Sequence, residues 1–178
     1  MRATTAEPID EVAELRAAVA AVTDPEIPVL TIADLGIMRD VHRAADGRVE
    51  VVITPTYSGC PAMDTIRADI LRVLHERGVP DGRVRVVLSP AWTTDWMSED
   101  GKHKLRAYGV APPTGRASPT GPVLVRLGLR APARRPSVPC PQCGSSDTRE
   151  TSRFGSTACK ALYRCRSCLE PFDHFKVL

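Results

Sequence analysis

Apolar residues recur at helical spacing through Ile9, Val12, Leu15, Val19 and Val22, with Asp10, Glu11 and Glu14 near the end where the helix dipole favours acids. This pattern predicts an amphipathic opening helix. Thr23-Asp24-Pro25-Glu26-Ile27-Pro28 ends it, because closely spaced prolines impose extended backbone. A structured loop follows, through Leu35-Gly36. Ile37 to His42 and Val49 to Thr54 are β-rich runs flanking Ala45-Asp46-Gly47, whose Asp-Gly step signals a hairpin turn. After Tyr57-Ser58-Gly59-Cys60-Pro61 the helical period returns. Met63, Ile66, Ile70, Leu71 and Leu74 share a face of a helix running to about Arg77, with Gly78 as its stop. Val84 to Leu88 reads as a third strand, and residues 98–108 as a last helix with Ser98 as N-cap.

Helix, strand, strand, helix, strand, without repeated βαβ units, predicts an α+β domain over residues 1–111, a small three-stranded sheet with helices on one face. Seven prolines lie between Pro112 and Pro139 among Gly, Ala and Arg, so 112–136 reads as an extended linker. Val123 to Leu129 could add a short strand there, and Arg130, Arg134 and Arg135 form a basic cluster on a solvated tether. Residues 137–178 form the second domain.

That second domain carries the strongest chemical signal. Cys140-Pro-Gln-Cys143 and Cys165-Arg-Ser-Cys168 each place two thiols on one tight knuckle, with 21 residues between the pairs. Two knuckles joined by a short hairpin supply the four soft ligands of a tetrahedral zinc site, so the spacing predicts a zinc ribbon. A rubredoxin-like iron would use the same ligands. Cys159 is surplus to a four-cysteine site; it is either a further functional thiol or a strand position facing the small ribbon core. His174 is close to the last knuckle, but four thiolates already saturate the metal, which leaves it a packing or surface role.

Charge is divided along the chain. Residues 1–120 hold 14 basic against 17 acidic side chains and residues 121–178 hold 10 against 4, so the basic excess belongs to the ribbon end. A tetrathiolate zinc carries a formal −2, which offsets part of it and weakens a nucleic-acid reading based on charge. Aromatic residues make up only 4%, so the core is expected to be aliphatic. No run approaches a membrane span and the start lacks a secretory h-region, so a cytoplasmic protein is expected, in which cysteines serve metal or thiol chemistry before disulfides.

A fifth cysteine stands apart. Cys60 sits where a strand gives way to a helix, with Pro61 at the first helical position, so its sulfur is expected at the N-cap facing unpaired backbone N–H groups. Such a place suits a nucleophilic or metal-binding sulfur. Alone, a cysteine in a tight turn is more often a small buried hydrophobe. Here Thr54, Thr56 and Ser58 crowd hydroxyls around it and Gly59 permits close backbone approach.

Asp24-Pro25-Glu26, the stretch from Thr54 to Pro61, and Pro90-Ala91-Trp92 followed by Met97-Ser98 together resemble the SufT-type domain implicated in iron-sulfur protein maturation. The tail, Gly155-Ser156-Thr157-Ala158-Cys159-Lys160-Ala161-Leu162-Tyr163-Arg164-Cys165 and Glu170-Pro171-Phe172-Asp173-His174-Phe175-Lys176, extends the likeness. Domain and ribbon together resemble the PaaD family associated with phenylacetyl-CoA epoxidase. Ala91 departs from the pattern, which commonly has a second proline before the tryptophan. The resemblance implies that Cys60 is the functional thiol, that Asp24 lies near it as ligand or hydrogen-bond partner, and that iron or an iron-sulfur cluster is held there transiently. By residue type alone, an aspartate before proline is more often a turn former.

The resemblance favours an accessory or maturation protein of the epoxidase system, not itself catalytic, whose partners are the oxygenase and reductase subunits and iron-sulfur assembly proteins. A stoichiometric, non-catalytic subunit that docks through the ribbon is the alternative. A nucleic-acid-binding ribbon is a third reading, disfavoured by the few aromatics, and no Glu-x-x-His pair of the di-iron type is present. Trp92 and Trp96 are expected to pin a loop onto the core.

Overall fold

A computed structural model describes residues 8–117 and 137–178, with side chains from residue 11 onward. The chain divides into two compact units, Met1–Lys104 and Leu105–Leu178. The stretch Val123–Leu129 and the arginines at 130, 134 and 135 lie outside the described residues.

In the first unit α1 (Pro8–Ala20) is followed by β1 (Met38–Arg43), β2 (Val49–Ile53), α2 (Ala62–Glu76) and β3 (Arg83–Val86); α3 (Glu99–Ala107) begins in this unit, and its residues from Leu105 onward are counted with the second. The expected hairpin is there. β1 and β2 are antiparallel, with Val41 opposite Val51, and Gly47 takes φ +83° in the turn. β3 adds to the other side of β2 in parallel, through α2 as a crossover, so the sheet order is β1-β2-β3. The α+β class therefore contains one βαβ step that periodicity did not reveal.

Period-two alternation decides what each face holds. Val41, Val51 and Val84 are in register on one face, all buried, and α1 packs on β1 and α2 while α2 packs on β3. Glu50 points to the opposite face. It is only 6% exposed, with Arg85 Nε at 2.7 Å, Arg83 Nε at 2.8 Å and His42 Nε2 at 3.6 Å. Those partners make a carboxylate tolerable in a central strand, and the Arg85 hydrogen bond, ahead of that from Arg83, holds its carboxyl below the usual range.

α2 buries Ala62, Ile66, Ile70 and Leu74, a stripe at every fourth residue. Leu71, expected on that stripe, is turned outward instead. Gly78, at φ +82°, ends the helix as the sequence predicts, with Val79 N–H bonded to the Leu74 carbonyl. Ser98 caps α3, its Oγ accepting from Gly101 N–H at 2.9 Å.

The two tryptophans fasten the loop before β1. Trp92 Nε1 donates to the Leu35 carbonyl at 2.9 Å, and Arg39 stacks over the Trp96 ring at 3.6 Å. Gly36 fits there at φ +67° with Trp96 so close that a Cβ would meet its carbonyl oxygen at 2.5 Å. Burial opposes ionisation of Asp34, but the Thr31 N–H and the Lys104 ammonium hold its carboxyl low, and Ser98 Oγ also donates to it.

The second unit is a three-stranded antiparallel sheet of β4 (Thr148–Ser152), β5 (Lys160–Cys165) and β6 (Pro171–Phe175), in that order. Ala111 joins it from before the proline-rich stretch. Its N–H donates to the Asp173 carbonyl at 2.8 Å and its carbonyl accepts from Phe175 N–H at 2.9 Å. Ala111 and Val138 share one small buried cluster with Cys140, Cys165 and Phe172. Ala111, before the proline-rich stretch, and Val138, after it, thus both belong to the second unit.

Candidate metal centre and thiol site

Each ribbon knuckle is shaped by its own backbone. Gly144 N–H bonds back to the Cys140 carbonyl and Cys140 N–H to the Ser145 carbonyl, while Cys165 N–H bonds to the Glu170 carbonyl. The position after each pair turns left-handed, Gly144 at φ +74° and Leu169 at φ +69°. Ser145 Oγ and Ser167 Oγ, 2.7 Å apart, tie one knuckle to the other.

The four sulfurs of Cys140, Cys143, Cys165 and Cys168 lie within 4.8 Å of one another. Cys140 and Cys168 approach to 3.7 Å and Cys143 and Cys165 to 3.6 Å. A tetrahedron of thiolates about 2.3 Å from a zinc ion has edges of about 3.8 Å, so the donor set fits that metal, whereas a disulfide needs about 2.05 Å. Backbone hydrogen bonds also prepare the sulfurs. The Cys168 N–H, with that of Ser167, lowers the Cys165 thiol to about 6. A backbone hydrogen bond from Glu170 favours ionised Cys168, but desolvation and the adjoining sulfurs outweigh it and push that thiol up to about 12. Four crowded sulfurs cannot all ionise without a cation between them.

His174 and Cys159 are outside this cluster. His174 is buried against the Tyr163 ring, with centroids 5.3 Å apart, and burial lowers it to about 4. Cys159 is half-buried with its sulfur 3.0 Å from Thr157 Oγ1.

Cys60 is partly exposed in a cleft of about 400 Å³. It precedes the helix cap by one residue: Pro61 is the N-cap, and the Cys60 carbonyl accepts from Met63 N–H at 3.2 Å. The expected N-cap sulfur is therefore displaced by Pro61, which adopts helical φ and ψ itself. Pro55, Ser58 and Gly59 of the preceding turn, Met63 and Asp64 of α2, Val86 at the end of β3 and Leu88 beyond it line the cleft.

The companions expected for Cys60 are elsewhere in the hydrogen bonding. Asp24 Oδ1 accepts from the N–H groups of Glu26 and Ile27, both at 2.8 Å, the work of a turn former. Thr54 is 1% exposed with Oγ1 enclosed and without a hydrogen-bond partner among the described residues, and Thr56 is half-buried. None of Asp24, Thr54 and Thr56 lines the cleft, whereas Asp64 does. Its separation of four residues from Cys60 was the available signal.

The orphaned hydroxyl of Thr54 gives a direct test of its role. Thr54→Val keeps the shape and removes the unmet hydrogen bond, so it should raise stability by about 1 kcal/mol in denaturant titration. A loss of stability would show that the hydroxyl is bonded in solution.

Residues 128–176 match the family described as PaaD zinc beta ribbon domain, and residues 12–88 match the family described as iron-sulfur cluster assembly protein. An Escherichia coli (strain K12) protein, named as the D component of a "Putative 1,2-phenylacetyl-CoA epoxidase", is 46% identical over 176 residues, 99% of this chain and 98% of that protein. A Porphyromonas gingivalis (strain ATCC BAA-308 / W83) protein named "Fe-S protein maturation auxiliary factor" is 40% identical over 85 residues, 47% of this chain and 80% of that one. A solved domain of unknown function DUF59 from Bacillus anthracis covers 55% of this chain and 92% of its own, at 32% identity and TM-score 0.48. With its iron-sulfur assembly domain, its zinc ribbon and near full-length identity at that level, the chain belongs to the PaaD family of phenylacetyl-CoA epoxidase components.

Proposed function

We propose that this chain is a non-catalytic accessory factor of a phenylacetyl-CoA epoxidase system that holds iron or an iron-sulfur intermediate transiently at Cys60 and passes it to a client. The observation that carries the reading is the contrast between two sulfur environments. Four thiols in the ribbon gather tightly enough to enclose a metal, while Cys60 stands in an open cleft beside a single carboxylate, Asp64. A closed tetrathiolate retains its ion; a site with few protein ligands leaves positions for a donor or acceptor to attack. The names of the similar proteins, an epoxidase component and an iron-sulfur maturation factor, support the same reading. Asp24, Thr54 and Thr56 enter as supports of the turns around the thiol. The partners would be the oxygenase and reductase components and iron-sulfur assembly proteins.

The test is Cys60→Ala in cells that depend on this chain to convert phenylacetyl-CoA. Its circular dichroism and zinc content should equal wild type, while oxygenase activity and metal occupancy should fall at least about tenfold, as for loss of a single essential ligand. Full activity with the variant as the sole copy would refute the proposal. The alternative of a fixed subunit predicts a constant molar ratio to the oxygenase in the purified complex; a transient factor would be substoichiometric.

A further inference from the structure

The second knuckle ends on a residue that its backbone disfavours. Leu169 adopts φ +69° where the first knuckle has Gly144 at φ +74°, and a leucine Cβ is crowded in that conformation. Strain of this kind persists where something else repays it. Burial does not, because the Leu169 side chain is 61% exposed.

Beside it, Arg149 of β4 stands directly opposite Arg164 of β5, a like-charge cross-strand pair that weakens a ladder. These arginines line a cleft of about 360 Å³ together with Thr151, Cys165, Arg166 and Leu169. Arg166 is answered by Asp147 at 3.7 Å. Arg164 Nε donates to the Leu169 carbonyl at 3.2 Å, and neither Arg149 nor Arg164 makes an ion pair among the described residues.

Three features unfavourable within the chain thus converge on one exposed spot: a left-handed leucine, its uncovered side chain and two opposed cations. We propose that Leu169, Arg149 and Arg164 form a docking surface for an acidic segment of a partner protein, with an apolar side chain set between its carboxylates. The guanidinium groups offer planar forks that match carboxylates, and Leu169 offers the apolar anchor between them. Charge complementarity favours an anionic partner. An exposed leucine favours protein over nucleic acid, since no aromatic ring lines the cleft to stack a base. This surface is independent of Cys60 and of the role given to it.

The test uses the full-length, zinc-loaded chain and a fluorescein-labelled peptide of sequence Gly-Glu-Glu-Leu-Glu-Glu-Gly, with a Leu-to-Gly version of the peptide and an oligothymidylate of about 15 nucleotides as comparisons. Saturable anisotropy for the leucine peptide, weaker by about tenfold for the glycine version, is expected at low salt. Leu169→Gly should weaken binding about tenfold while raising the thermal midpoint, because it relieves the strained φ; a fold defect cannot mimic that combination. Arg149→Glu with Arg164→Glu should also weaken peptide binding, at unchanged zinc content. The proposal is overturned if the peptide fails to saturate by about 1 mM, if Leu169→Gly binds as wild type, or if the oligonucleotide binds more tightly than the peptide. Zinc loss from the double arginine variant overturns it too, by assigning those charges to the thiolates.

Discussion

Cys165→Ser, or exhaustive chelation at neutral pH, should unfold the ribbon unit while the unit bearing Cys60 keeps its structure. The apolar cluster in the ribbon comprises Ala111, Val138, Cys140, Cys165 and Phe172, so two of its five members are themselves donors to the metal centre. A core that small does not offset the entropy of ordering three strands. Metal binding to four thiolates supplies about 10–16 kcal/mol in small zinc modules at neutral pH, so an ion held by these four cysteines would be the main source of stability here. Cys165 is the severest position because it is fully buried and accepts the N–H groups of Ser167 and Cys168. Amide spectra should show collapse of resonances from 138 to 177 and retention of those from 11 to 104. Dispersed ribbon signals after complete metal removal would contradict the assignment.

Gly36→Ala should be the most damaging single substitution of those considered in the first unit. At φ +67° any Cβ costs about 1–2 kcal/mol, and this one would also stand 2.5 Å from the Trp96 carbonyl oxygen and 2.7 Å from its Cβ. The neighbour cannot easily withdraw. Trp92 is bonded to the Leu35 carbonyl, Arg39 covers the Trp96 ring, and Ser98 N–H is held by the Asp34 carbonyl. Overpacking of this kind adds about 1–3 kcal/mol, for a total of about 3 kcal/mol or more. Gly47→Ala is the internal control, since Gly47 has φ +83° with nothing within 4 Å of a Cβ, and only the conformational part should appear. Equal denaturant midpoints for the two variants would refute the steric argument.

Where order along the chain decides structure, the sequence was legible. The Asp46-Gly47 turn, the Ser98 cap, the Gly78 stop and the two Cys-x-x-Cys knuckles are local devices, and each appears where its residues stand. What depends on tertiary packing was not. Val49 to Thr54 reads as a β-rich run, yet it holds Glu50, whose burial depends on the register against Arg83 and Arg85. The parallel pairing of β2 with β3 likewise escapes a pattern that reports only which faces are apolar. The cleft at Cys60 is assembled from the turn before α2, the helix itself, and Val86 and Leu88 at and beyond the end of β3, so of the three hydroxyls adjacent in sequence only Ser58 is in its lining. Leu71 left the expected stripe because spacing every fourth residue, through Ile66, Ile70 and Leu74, already filled the face toward the sheet.

Ala111 and Val138 meet in one cluster although the proline-rich stretch separates them in sequence. The ribbon core is thus completed by a residue that precedes the stretch, and 137–178 alone lacks one of its buried members. Chains 1–117 and 137–178, made separately and mixed with zinc, should therefore sediment as one particle and come apart when the metal is stripped. A ribbon complete within 137–178 would instead fold around zinc by itself and leave the other piece free.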